Sequence, residues 1–328
     1  MLKIELTNAI LELKKKKAKK IFLQIPEGLK INAESIIEQL EERGFEVFTS
    51  MDPCYGACDI KQNEANTMGC DTILHLGHSS FIEKTKNPIV YAPLHYELGN
   101  EFDKTVKNLI TYLNLHKIKK VGLTTTVQFL EYLKILQQEL KENKIEAIIG
   151  KGKRTLDGQI LGCNYTSANV KANTIIYLGD GLFHPLGIHY ATKKRVLLAN
   201  PFDSKIKELT DKKNDFLKKR ILLIERAKEA TNFAILVSTK EGQNKINEAK
   251  KIKKELEKAG KGAKIYTMDY ITNDTMLGVN AEAFINTACP RISIDDFMQY
   301  KHPIINKTEI PYLLGKKNYE NYKLELVY

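Results

Sequence analysis

The chain has 328 residues, of which 43% are hydrophobic, and its formal net charge is +11. A chain of this length can bury a large core and is expected to form more than one compact unit. Its five cysteines are an odd number, which argues against a disulfide framework and favours thiol chemistry or metal binding in a reducing compartment.

The amino-terminal sequence and the charge pattern point away from membranes and nucleic acid. Residues 1–6 contain no apolar core of a signal sequence, and no run approaches the ~20 apolar residues that span a bilayer. Lysines are scattered over the predicted helix faces beside many glutamates, as in residues 250–255, which is typical of a solvated, ion-paired surface. We therefore expect a cytoplasmic protein that does not bind nucleic acid directly.

Strand and helix patterns alternate along the first two thirds of the chain, in the same order in each. An apolar strand is followed by an amphipathic helix, a second strand, a glycine- and cysteine-containing loop, a short helix and two further strands. In the first copy, strands are predicted over 20–26, 46–49, 72–77 and 88–92. A helix that ends at Gly44 follows the first strand, and a short helix over 63–68 precedes the third. In the second copy, strands are predicted over 120–123, 145–149, 174–179 and 195–199. A helical stripe from Phe129 to Leu140 follows the first strand, and a short helix over 167–171 precedes the third.

The last third repeats the order less closely. Strands are predicted over 233–237, 263–267, 283–287 and 303–305, with a helical stripe from Ile246 to Ala259 after the first. A long charged helix over 204–231 precedes this copy, and the segment after Lys316 has no clear pattern.

This alternation predicts an α/β protein with parallel sheets covered by helices. Because the unit occurs three times, we predict three homologous domains, residues 1–102, 103–204 and 205–328. Three such domains are expected to form a triangle around a pseudo-threefold axis.

One cysteine of each unit follows a predicted strand. Cys58 and Cys163 come after the second strand of their units, and Cys289 comes after the third strand of its unit. Because ligands of open α/β sheets bind beyond the carboxyl ends of the strands, we expect the three thiols to meet at one centre.

Spacing alone leaves the nature of that centre open. Three thiolates suit a zinc ion with a fourth, open position or a 4Fe–4S cluster with one iron free for substrate, and ordinary buried thiols are the alternative. No CxxC pair is present. Cys54 and Cys58 have the spacing of the first two cysteines of a CxxxCxxC motif, but Lys61 stands where the third would be, so the common radical S-adenosylmethionine signature is absent. We interpret Cys70 as a core residue, and a role for Cys54 as an alternative or transient ligand is the less favoured interpretation of that residue.

Other residues at equivalent strand ends are candidates for contacts with a cofactor. They are Gly77 and His78 in the first unit, Gly179 and Asp180 in the second, for which plain turn chemistry is the alternative. Arg291 could hold a substrate carboxylate, or else pair with Asp295 or Asp296. His75, within a strand, is expected to be a packed core residue.

The motifs around the three cysteines resemble those of the archaeal diphthamide synthesis enzymes, the 2-(3-amino-3-carboxypropyl)histidine synthases. The matching segments are Tyr55-Gly56-Ala57-Cys58-Asp59, Leu76-Gly77-His78-Ser79, Leu161-Gly162-Cys163-Asn164 and Asn286-Thr287-Ala288-Cys289-Pro290-Arg291. The resemblance extends over essentially the whole chain.

The resemblance implies a function. Members bind a 4Fe–4S cluster through one cysteine of each domain, here Cys58, Cys163 and Cys289, with no further catalytic residue assigned. They take S-adenosylmethionine as co-substrate and an electron from an external donor. A 3-amino-3-carboxypropyl radical then modifies a histidine of elongation factor 2, the first step of diphthamide formation. Archaeal members are typically homodimers.

Two other functions fit three dispersed cysteines. A quinolinate synthase-like enzyme would use its 4Fe–4S cluster as a Lewis acid on small metabolites. A non-catalytic zinc or iron–sulfur protein would use the centre only for structure or assembly. The motif matches favour neither of them.

Overall fold

The computed structural model describes residues 2–4, 6–82 and 85–324 and shows an α/β protein with three β-sheets. Each sheet takes its strands from one continuous stretch of the chain. The strands are β1 (Leu2–Ile4), β2 (Lys20–Gln24), β3 (Glu46–Ser50), β4 (Thr72–Gly77), β5 (Ile89–Tyr96), β6 (Lys120–Thr125), β7 (Glu146–Ile149), β8 (Thr174–Leu178), β9 (Arg195–Ala199), β10 (Ile206–Glu208), β11 (Asn232–Ser238), β12 (Gly262–Met268), β13 (Ala283–Asn286) and β14 (Ile304–Asn306).

Helices connect the strands of each sheet and bury one face against it. The helices are α1 (Leu6–Lys15), α2 (Ala33–Glu41), α3 (Gln62–Thr67), α4 (Asn100–Leu115), α5 (Leu130–Glu142), α6 (Phe183–Thr192), α7 (Thr210–Lys228), α8 (Ile246–Lys258), α9 (Asn273–Met276), α10 (Pro290–Ile294) and α11 (Ile310–Leu313). In α5, for example, Leu133, Leu136 and Leu140 are the buried residues, a spacing that places them on one side of the helix.

The same order of four parallel strands recurs in the three sheets. The first sheet has the order β1-β5-β4-β2-β3, the second β10-β9-β8-β6-β7 and the third β12-β11-β13-β14. The first parallel strand of each sheet in sequence, β2, β6 or β11, pairs in parallel with the two strands that follow it along the chain. The predicted repeat of the sheet is therefore present in the fold.

The first two sheets each contain an antiparallel edge strand in addition to the predicted parallel strands. β1 pairs with β5 and β10 pairs with β9, and both pairings are antiparallel. Each of these edge strands has only three residues, which is too short for a recognisable strand pattern. The predicted helix over 204–231 is accordingly wrong in its first part, because β10 precedes α7.

Several helical segments differ from expectation. The predicted short helix over 167–171 is a single 3-10 turn, Thr166–Ala168, and the helices α1, α4, α6, α9, α10 and α11 were not predicted. The segment after Lys316 is placed as far as residue 324: Tyr322 and Leu324 are buried in a core shared by the second and third sheets. Positions 325–328 of the third predicted domain lie outside the described residues. Within the described part of the chain, no helix is both long enough and apolar enough to cross a bilayer.

Candidate metal centre

The three predicted cysteines line one cavity of about 320 Å³. Cys58 follows β3, Cys163 follows β7 and Cys289 follows β13, so each sheet contributes one thiol. The parallel strands of each sheet direct their carboxyl ends towards this cavity, which is where ligands of such sheets bind.

The Cys58 loop is held by a buried glutamine at the end of β2. The side-chain amide of Gln24 donates to the carbonyl of Asp59 at 2.9 Å and accepts from the backbone N–H of Lys61 at 3.2 Å. A turn in which the N–H of Asp59 donates to the carbonyl of Gly56 at 2.9 Å surrounds the cysteine. These bonds fix the loop on both sides of Cys58.

Cys163 lies in a tight two-residue turn. Leu161 and Asn164 exchange both backbone hydrogen bonds at 2.9 Å, with Gly162 and Cys163 between them. The buried side chain of Asn164 also donates to the carbonyl of Lys153 at 2.6 Å. The turn is thereby attached to the preceding loop and presents the thiol to the cavity.

Cys289 directly precedes α10 and is positioned by Asn286, the last residue of β13. The Asn286 amide donates to the Cys289 carbonyl at 2.8 Å and to Ser293 Oγ at 3.2 Å, and its oxygen accepts from the N–H of Ala288 at 3.0 Å. The backbone N–H of Arg291 donates to the Cys289 sulfur. A buried amide side chain therefore orders each of the three cysteine loops.

The electrostatics of the cavity fit a cationic centre. Burial raises the pKa of all three thiols, that of Cys289 to about 12. After burial, the next causes of the raised pKa of Cys163 are the neighbouring thiols of Cys58 and Cys289. Three thiolates would therefore need positive charge between them, which a bound metal centre supplies. The donor set of three sulfurs suits zinc or an iron–sulfur cluster.

A charged cluster lies beside the Cys58 loop. The ammonium of Lys240, in the loop after β11, is 3.2 Å from Asp59 Oδ1 and 3.0 Å from Asp269 Oδ2. The ammonium of Lys61 is 3.0 Å from the same Asp269 oxygen. Burial raises the pKa of Asp59 although Lys240 opposes this shift. The cluster joins the loop of the first sheet to two loops of the third.

A second cavity of about 340 Å³ adjoins the first and shares Tyr55, Cys289 and Arg291 with it. Its wall combines charged and aromatic side chains. They include Lys240, Asp269, Tyr270, Asp296 and Tyr300. This composition suits a polar ligand that carries both charge signs and a ring.

The other predicted contact residues divide into two groups. His78 and Arg291 line the cavity of the three thiols, whereas Gly77, Gly179 and Asp180 are not among the described residues that do. Asp180 accepts hydrogen bonds from Asn200 and from the following backbone N–H, which is turn chemistry. Arg291 forms an ion pair with Asp295 at 2.7 Å, which is the predicted alternative to binding a substrate carboxylate. Its side chain also lines the cavity.

Two features near the cavity were not predicted. The first is a buried group in which one ligand atom each of Cys54, His75 and His78 lies within 4.8 Å of the others. His75 Nε2 and His78 Nδ1 are 3.0 Å apart and share a hydrogen bond, and His75 is fully buried as expected. The second is Gln243, whose amide reaches the sulfur of Cys58. Cys70, as expected, packs in a small core beneath the first sheet.

Comparisons with known proteins agree with one another. Residues 25–323 match the family of diphthamide synthesis proteins. The 2-(3-amino-3-carboxypropyl)histidine synthase of Pyrococcus horikoshii is 36% identical over 94% of this chain and 90% of its own length. The enzyme of the same name from Methanocaldococcus jannaschii is 29% identical over 93% of this chain and 87% of its own. The crystal structure of Dph2 from Pyrococcus horikoshii with a 4Fe-4S cluster matches with a TM-score of 0.92 at 34% identity, covering 99% of this chain and 95% of that one.

Proposed function

Because the chain belongs to the diphthamide synthesis protein family, we propose that it acts as a 2-(3-amino-3-carboxypropyl)histidine synthase. In this reaction the 3-amino-3-carboxypropyl group of S-adenosylmethionine is joined to an imidazole carbon of one histidine in elongation factor 2. Methylthioadenosine and a proton are the other products. The convergence of three thiols from three sheets on one cavity is the observation that carries this proposal.

Cys58, Cys163 and Cys289 are the proposed ligands of a 4Fe–4S cluster. When bound, such a cluster would supply the electron that cleaves S-adenosylmethionine at the aminocarboxypropyl carbon. The imidazole adduct would release one electron together with its proton, so that the overall transfer consumes no net electron. The protein's part is to hold the thiols in place through Gln24, Asn164 and other buried amides, and to exclude water from the cavity.

The adjoining charged cavity is the proposed site of the amino-acid end of S-adenosylmethionine. Arg291 faces both cavities and could pair with the carboxylate, and Asp296 offers an acceptor for the ammonium. Burial raises the pKa of Asp296 while Arg291 opposes this shift, so a bound ammonium would favour its ionised form. Arg291→Lys should therefore raise the KM for S-adenosylmethionine more than it lowers kcat.

The reaction requires partners. We propose elongation factor 2 as the protein substrate, a homodimer as the active assembly, and an external one-electron donor that reduces the cluster. Because the acceptor is a component of translation, the reaction would take place in the cytoplasm.

The proposal is tested on protein purified without oxygen. Iron and sulfide are counted, the protein is reduced with dithionite, and S-adenosylmethionine is added. We expect about four iron and four sulfide per chain, methylthioadenosine without 5′-deoxyadenosine, and transfer of labelled aminocarboxypropyl groups to elongation factor 2 but not to a variant that lacks the acceptor histidine.

Other outcomes would point to the alternatives. A loaded cluster that leaves S-adenosylmethionine intact would indicate quinolinate synthase-like Lewis-acid chemistry. Zinc in place of iron, in a colourless protein, would indicate a structural centre and overturn the proposal.

A further inference from the structure

The loop between β11 and α8, residues 239–245, reaches from the third sheet to the cysteine of the first. The side-chain amide of Gln243 donates to Cys58 Sγ at 3.3 Å. Gln243 is 6% exposed, Cys58 is half-buried, and the bond between them is part-buried. The bond connects positions that are 185 residues apart in the sequence.

The backbone of the same loop fixes the glutamine at this distance. The N–H of Gly242 donates to the carbonyl of Cys58 at 3.0 Å, and the N–H of Gln243 donates to the carbonyl of Lys240 at 3.0 Å. A Cβ atom on Gly242 would lie 2.5 Å from the Cα of Cys58. The two backbones are therefore in direct contact, which only glycine allows here.

The charged cluster anchors the loop at its other end. Lys240 is 4% exposed at its side chain and pairs with Asp59, the residue after Cys58, and with Asp269 after β12. Its ammonium also lies 4.1 Å from the centre of the Tyr270 ring. Breaking a buried pair of this kind is costly, so the loop has little freedom to withdraw Gln243.

We propose that Gln243 is a positioning residue that orients the Cys58 sulfur and raises the reduction potential of the centre. This inference rests on the proposed 4Fe–4S cluster. Reduction adds negative charge to a cluster and its sulfurs, and an N–H donor stabilises that charge more in the reduced state than in the oxidised state. Because the bond is part-buried, solvent screens its effect less than that of an exposed bond.

The test compares cluster-loaded proteins prepared without oxygen. Gln243→Met keeps the length of the side chain and removes the donor, and Gln243→Glu keeps its shape and places a negative charge beside the sulfur. Gln137→Met is the matched control, because Gln137 donates to the carbonyl of Ala147 on the second sheet. Iron content and the midpoint potential of the cluster are measured for each protein.

We expect wild type and Gln137→Met to share one midpoint potential, Gln243→Met to be more negative, and Gln243→Glu to be more negative still. With a weak reductant the two Gln243 variants should form methylthioadenosine more slowly than wild type. With excess dithionite the rates of the variants and of wild type should be closer to one another. Full iron content with an unchanged potential would overturn the inference. So would the loss of iron from both folded variants, since the role would then be structural. Wild-type protein without a cluster would instead refute the proposed function.

Discussion

The guanidinium of Arg220 and the carboxylate of Glu309 form a two-point ion pair that is completely buried. Nε donates to Oε1 at 2.9 Å and Nη2 donates to Oε2 at 2.5 Å, with both side chains 0% exposed. Tyr322, from the carboxy-terminal segment, donates to Oε1 at 2.5 Å. The pair raises the pKa of Arg220 against the effect of burial. It joins the helix α7 to the last strand and to the end of the described chain.

Removing one partner of this pair should destabilise the protein strongly. Glu309→Leu leaves the Arg220 guanidinium buried without its carboxylate, and we expect a loss of about 3–5 kcal/mol. Denaturant unfolding followed by circular dichroism measures the change. The double variant Arg220→Met/Glu309→Leu should recover much of the loss. If the single variant unfolds at the wild-type denaturant concentration, the pair is not a stabilising element.

Each of the three cysteines should be needed for the cluster. Cys58→Ala, Cys163→Ala and Cys289→Ala should each lose most of the iron and lower methylthioadenosine formation by at least about 100-fold, because loss of a ligand should cost at least as much as loss of its outer-shell partner. Cys70→Ala is the control and should keep its iron, since Cys70 packs in a separate core. Iron content and the absorption spectrum are measured for each variant and for wild type. Retained iron and activity in two of the three variants would refute the shared centre.

Adding a methyl group at position 242, in a loop of the third sheet, should disturb the position of Cys58, which follows a strand of the first sheet. In Gly242→Ala the added carbon would lie 2.5 Å from the Cα of Cys58, so one of the two loops must move. We expect a loss of stability of about 1–3 kcal/mol and reduced iron content. Gly278→Ala, where nothing lies within 4 Å of the new carbon, should match wild type in both measurements. Equal iron content in the two variants would show that the loops can separate without consequence.

Acid should destabilise the fold through a buried histidine. Burial lowers the pKa of His75 from 6.5 to about 3, and His78 contributes further in the same direction. Below pH 6.5 the unfolded chain therefore binds a proton that the folded chain does not, and stability falls as the pH falls towards 3. At pH 5 the contribution of His75 is about 2 kcal/mol.

His75→Gln should reduce this pH dependence, and unfolding midpoints at pH 7 and pH 5 measure it. The exposed His116 provides the control variant, His116→Gln, which should retain the wild-type dependence. An unchanged difference between the two pH values in His75→Gln would refute the assignment.

The strands and the position of the thiols could be predicted because local patterns determine both. The segment Thr72–Gly77 is completely buried, and its counterpart Thr174–Leu178 is buried likewise, so each appears as a continuous apolar run. Cys58 and Cys163 follow the neighbouring parallel strands β3 and β7, and Cys289 follows β13. All three cysteines are therefore expected at the edge of a sheet where ligands bind. The sequence-based hypothesis of one shared cavity combined this rule with the threefold repeat of the strand and helix pattern.

The features that were not predicted depend on contacts between distant residues. Helix α6 contains Pro185 and Gly187, which normally argue against a helix, but Pro185 lies in its first turn. Any side chain at Gly187 would overlap the ring of Tyr165, so that glycine is required by packing. Gln243 lies in an ordinary polar loop, and no local signal shows that it contacts a residue of another sheet.

The dispersal of the thiols along the chain also determines when a metal centre can be assembled. Cys58 leaves the ribosome early, whereas its hydrogen-bond partner Gln243 follows 185 residues later and Cys289 later still. A nascent chain that stops before the third sheet has at most two of the three thiols in place. The proposed cluster with its three protein ligands can therefore be completed only after the strand that precedes Cys289 has been synthesised.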